Sequence, residues 1–182
     1  MNQIEQIDNE ELGAQGLAGA ERFERVLQQL SEEQNFAMAI IAGGCAALVG
    51  AGIWAAVTVI TGYQIGWLAI GVGFLVAYAV RMAGKGLTTK FKVLGALLAL
   101  AGCAVGNFLT VCHYLGQQYG LGYFEVLTRL KPGAIPDLMA SSFSGMDLVF
   151  YAIAAYEGYK LSLRQLPEAE LNALQYAAVE EG

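Results

Sequence analysis

Charge is what this chain is short of. Ten lysines and arginines and sixteen aspartates and glutamates make up 14% of its 182 residues, against about a quarter in an ordinary soluble domain. Between Phe36 and Gly145 there are only eight charges: Arg81, Lys85, Lys90, Lys92, Glu125, Arg129, Lys131 and Asp137. A net charge of −6 excludes a nucleic-acid binder, which needs lysines and arginines clustered on one face. Histidine occurs once, and the three cysteines, Cys45, Cys103 and Cys112, contain no C-x-x-C pair. A closed zinc site is therefore not expected, nor any cofactor, and the cysteines read as small packing residues of helices.

What remains is apolar: 56% hydrophobic residues and 23 glycines, with a mean hydropathy of +0.48. This is the composition of an integral membrane protein. Residues 1–35 are acidic and lack an apolar stretch. Insertion is therefore expected to rely on the first span rather than on a signal peptide.

The patterning predicts an all-α fold, a four-helix transmembrane bundle with short cytoplasmic amphipathic helices at both ends. Residues 1–30 form an acidic tail in which Phe23, Val26, Leu27 and Leu30 make a helical stripe. Because Glu rather than Lys flanks that stripe, it suits a protein surface better than anionic lipid. The membrane domain covers 31–164, with spans expected at 36–60, 65–81, 93–115 and 140–160. Ser31-x-x-Gln34 reads as a capping box opening the first span. Thr61-Gly62-Tyr63-Gln64 reads as a tight turn, and Arg81, Lys85, Lys90 and Lys92 as a short basic connector. Tyr63 and Trp67 suit an aromatic belt at the outer edge. From Leu115 to Ser144 the chain reads as a long loop punctuated by Pro132 and Pro136, with Ile135-Pro-Asp-Leu-Met139 as a helix start that has proline at its first position. The fourth span has a second register, starting at Ser144, where Ser144-x-x-Asp147 is another capping pattern. Residues 165–182 form a second acidic tail, with a short helix opening at Pro167.

Four spans put Arg22, Arg25, Arg81, Lys85, Lys90, Lys92, Lys160 and Arg164 on one side and Arg129 and Lys131 on the other. Eight against two is a positive-inside bias that places both termini in the cytoplasm. Within the spans, Ala39, Gly43, Ala47, Ala51 and Ala55 recur every fourth residue. Ala69, Gly73 and Ala77 follow on the second span, and Gly95, Ala99, Cys103, Gly102 and Gly106 on the third. In lipid it is such small residues that let helices approach closely. They predict a tightly packed bundle rather than a wide aqueous pore, and a homo-oligomer seam is the alternative use.

Ionisable side chains at membrane depth are costly, so each is a candidate for function: His113, Asp147, Glu157 and, at the edge, Arg81. His113 and Asp147 both fall in the outer part of the bundle, where a pair could relay a proton or bind a cation. The simpler reading makes Asp147 a helix cap and His113 an interfacial side chain. Glu157 and Lys160 lie near the cytoplasmic end of the fourth span, where an ion pair with Arg81 or Lys92 would account for them. Asn107 is expected to make an interhelical hydrogen bond. A nucleophile–base constellation is not apparent, and G-x-S-x-G is absent.

The block Thr61-Gly-Tyr-Gln-Ile-Gly-Trp-Leu-Ala-Ile-Gly-Val-Gly-Phe-Leu-Val-Ala-Tyr-Ala-Val-Arg81, followed by Gly84-Lys-Gly86, resembles uncharacterised bacterial multi-pass inner-membrane proteins over residues 36–115. The resemblance implies a bacterial inner-membrane setting and transfers no functional residue. Three functions are carried forward. The leading one is a non-enzymatic accessory or scaffold component of a membrane complex, holding a partner through the Phe23–Leu30 helix or the outer loop. The alternative is a small oligomeric transporter or channel with an outward-facing His113/Asp147 pair. Last comes an enzyme acting on lipid at the outer loop.

Overall fold

The computed structural model describes residues 25, 28, 30–63 and 65–165. The acidic tails, most of the Phe23–Leu30 stripe and the helix expected at Pro167 lie outside the described residues. The described chain is all-helical, and it divides into two units. In the unit made of Met1–Gln34 and Arg164–Gly182, Arg164 Nη1 donates to Glu33 Oε2 at 2.7 Å.

The other unit, Asn35–Leu163, contains the apolar helices. The first, α1, is Phe36–Thr61. Its cap is not the Ser31 box. Ser31 and Glu32 still belong to the preceding helical segment, and the extended residue before α1 is Asn35, whose side chain accepts from the Met38 N–H at 2.9 Å. Without charge or proline, α1 runs 26 residues, about 39 Å. It stops at Gly62, whose φ of 71° returns its N–H to the Thr58 carbonyl, a left-handed closure that glycine adopts without cost.

After Gly62 the chain returns as α2, Trp67–Gly84, two residues later than expected and three residues past Arg81, which stands inside its last turn. Helix α3 spans Thr89–Tyr119, well beyond the predicted 93–115. Lys90 and Lys92 are therefore helical, and the basic connector shrinks to the few residues around Lys85. Tyr63 and Trp67 are exposed, as a belt position requires.

The expected outer loop is mostly helix: α4, Tyr123–Arg129; a 3₁₀ turn, Pro132–Ala134; and α5, Ile135–Ser142. Glu125 and Arg129 pair along α4. The predicted span 140–160 is divided. Phe143 and Ser144 are extended, and Ser144 with Asp147 forms a capping box that opens α6, Gly145–Leu161. The register starting at Ser144 is the one observed, because the box satisfies the first-turn N–H groups there. The arm formed by the 3₁₀ turn with α5 meets α6 at 103°. Helices α1, α2 and α3 are each long and apolar enough to cross a membrane, and the bent pair makes a fourth if it counts as one span.

Helices α2 and α3 each pack against both α1 and α6. The buried faces set small residues, among them Gly43, Gly73, Gly95, Gly102, Gly106 and Gly158, against Trp54, Val72, Val76, Val80 and Phe91. On α1 the buried stripe turns from Ala51 to Trp54 and Thr58, leaving Ala55 half-buried. A strict four-residue repeat gains about 40° per step on a helix of 3.6 residues per turn, so the face must skip back by one. Cys103 and Cys112 are buried as packing residues, whereas Cys45 is exposed.

Candidate functional site

The clearest polar constellation lies between α3 and α6. Asp147 occupies the third position of α6 and is completely buried. Its Oδ2 accepts the Ser144 backbone N–H at 2.7 Å, and its Oδ1 accepts from Asn107 Nδ2 of α3 at 3.4 Å. Asn107 Nδ2 also donates to the Tyr151 hydroxyl at 3.2 Å. Tyr151 stands four residues after Asp147, so both side chains leave α6 on one face. The carboxylate thus has a donor on each oxygen, and Asn107 ties it to the phenol. An apolar interior makes such bonds strong when complete and costly when broken.

His113 is not part of this cluster. It follows Asn107 by six residues, which is about 240° around α3, so the two side chains point to different faces. Gln117 Nε2 donates to His113 Nε2 at 3.1 Å. Together they line a pocket of about 410 Å³ with Gly116, Gly120, Leu121 and Tyr123. Burial, and secondarily Cys112, raises the Tyr123 phenol above its usual range. The simpler reading holds for Asp147, which caps α6; the alternative His113/Asp147 pair is not formed, His113 bonding Gln117 and Asp147 bonding Asn107.

Glu157 corrects a second expectation. Lys92 Nζ lies 5.3 Å from the Tyr159 ring centroid, and Lys160 Nζ lies 5.4 Å from that of Tyr156. Among the described residues no ion pair reaches Glu157. Its Cβ would stand 3.0 Å from a methyl built on Gly73, which sets the half-buried side chain against α2. A partly desolvated carboxylate without a partner opposes folding. Glu157→Gln is therefore expected to leave stability unchanged or raise it by about 1 kcal/mol, measured as the denaturation midpoint in mixed micelles. A loss of that size would reveal a partner for the carboxylate.

Tyr151 was missed in the sequence, although its four-residue spacing from Asp147 was a usable signal. Trp54 and Thr58 were missed as well. Both are buried, and among the described residues Trp54 Nε1 and Thr58 Oγ1 have no hydrogen-bond partner. The Trp54 ring is wedged between Gly106 and Phe150, where packing rather than polarity holds it. Among the described residues no group of three or more His, Cys, Asp or Glu side chains is placed to hold a metal ion. No family model, curated protein or solved structure matches the chain.

Proposed function

We propose that the protein is a four-span component of a bacterial inner membrane, both termini cytoplasmic, acting as a non-enzymatic accessory or scaffold subunit of a membrane complex. The observation that carries the reading is the outer segment. What the sequence suggested was a loop is a run of short helices that buries little of itself fully: Ile135, Leu138 and Met139 are half-buried, and Phe124 stands clear of the bundle. Helix α5 buries none of its residues, and α4 buries only Val126. Tyr119, Phe124 and Phe143 remain 66%, 81% and 46% exposed. Aromatic groups held at or between helices, Tyr119 ending α3, Phe124 on α4 and Phe143 against Tyr151, offer a partner a surface at low entropic cost, since little has to freeze on contact.

The polar interior supports the same reading. Asp147 and Asn107 are bonded into the α3–α6 seam, which suits an architectural role better than a conduction path. The His113/Asp147 transporter is correspondingly disfavoured, because the two groups do not share a site.

The test is a pull-down of the full chain, tagged at one terminus, from native membranes in mild detergent, with mass identification of what co-purifies. The expected result is a stoichiometric membrane partner that is lost when Phe124 and Phe143 are both changed to serine. A uniform homo-oligomer without a foreign partner would overturn the accessory reading, and flux into liposomes would then be the next measurement.

A further inference from the structure

Where the start of α1 lies beside the start of α3, the bundle wall carries a groove of about 410 Å³, lined by Phe36, Thr89, Lys90, Val93, Leu94 and Leu97. Its walls are apolar and open: Phe36, Val93 and Leu97 are 44%, 46% and 59% exposed. Buried Phe91 fixes the Phe36 ring edge-on, with centroids 5.4 Å apart. From Lys90 to Leu97 the groove follows α3 for about 10 Å at 1.5 Å per residue.

One end of the groove is cationic. Lys90 is exposed and among the described residues has no ion pair. Lys92 is turned onto the Tyr159 ring; from Phe36 to Phe124 the chain carries no Asp or Glu, and of the two carboxylates just before Phe36, Glu32 and Glu33, the second is bonded to Arg164. The Thr88 side chain makes no capping bond, so the first-turn N–H groups of α3 add their positive partial charge to that of Lys90. A groove that is basic at one end and apolar along its length has the polarity of a lipid. A packed helix would call instead for the small residues seen at the other seams.

We propose that this groove binds an anionic phospholipid, with the phosphate at Lys90 and the first turn of α3, and one acyl chain along Val93, Leu94 and Leu97 against Phe36. The site rests on the bundle's lying in a bilayer and owes nothing to the partner reading.

The test uses the full chain, purified in mild detergent and incubated with equal amounts of palmitoyl-oleoyl phosphatidylglycerol and phosphatidylcholine. Native mass spectrometry then reads the lipid retained. The glycerol lipid is expected in excess of about tenfold, and Lys90→Glu is expected to remove that excess. Leu97→Trp, which fills the groove without altering charge, should also abolish retention. Leu48→Trp, on an exposed face of α1, should leave it intact. Equal retention of both lipids, retention indifferent to Lys90→Glu and Leu97→Trp, or a dimer dispersed by Leu97→Trp would each overturn the site. Carbonate extraction of the source membranes separates the two levels of failure. Protein released by carbonate defeats the bilayer reading and the site together, whereas membrane-retained protein without headgroup preference defeats the site alone.

Discussion

Alanine at Gly158 is expected to lower stability by about 3 kcal/mol, the upper part of the range for forcing extra atoms into a packed interior. A Cβ built there falls 2.6 Å from the Gly95 carbonyl oxygen and 2.9 Å from its carbon. The reciprocal substitution at Gly95 meets the Gly158 carbonyl and the Ser162 hydroxyl. Backbone cannot rotate aside as a side chain can, so α3 and α6 must move apart along this seam. In lipid the separation is especially damaging, because close van der Waals packing rather than burial from water holds the helices together. The measurement is the midpoint of unfolding in mixed dodecyl sulfate micelles. Gly52→Ala and Gly71→Ala serve as controls, since a Cβ at either position meets nothing within 4 Å. Those two should be neutral or slightly stabilising, alanine being the better helix former. Equal effects at all four positions would refute the close-approach account.

The second large effect is expected at Asp147. Asp147→Ala removes the acceptor of the Ser144 N–H and the partner of the Asn107 amide in one step. The lost cap and the stranded donors together amount to about 3 kcal/mol. Asp147→Asn should cost about 1 kcal/mol, because an amide still offers one oxygen to the Ser144 N–H. A double-mutant cycle with Asn107→Ala isolates the bond between the helices. The second substitution should cost at least about 1 kcal/mol less when Asp147 is already alanine. Additive losses would mean that Asn107 acts through groups other than Asp147.

The fold was legible where periodicity and length agree. Helix α1 ends within one residue of its expected boundary, because a 26-residue uncharged run between Asn35 and Gly62 admits no other reading. The small-residue faces of α2 and α3 are buried as their spacing suggested. Boundaries failed where polar residues continue a helix: Lys90, Lys92, Gln117 and Gln118 lie in α3, since nothing in their backbone chemistry breaks it. In the segment after Leu115 the helix start at Ile135 was legible from Pro136, whereas α4 and the end of α5 were not, for a related reason. Helices of seven and eight residues show too few turns for a periodic signal. The polar site was half legible. Asn107 was expected to bond across helices, but which partner it reaches depends on rotation about α3. That rotation brings Asp147 and Tyr151 within range of Asn107 and turns His113 elsewhere.

With a buried carboxylate in its first turn, α6 is costlier to leave alone in lipid than the uncharged α1. Asn107 and the glycine face of α3 are there to receive it. In a bilayer, a chain whose third helix has lost Asn107 is therefore expected to hold its last helix less firmly than the other three.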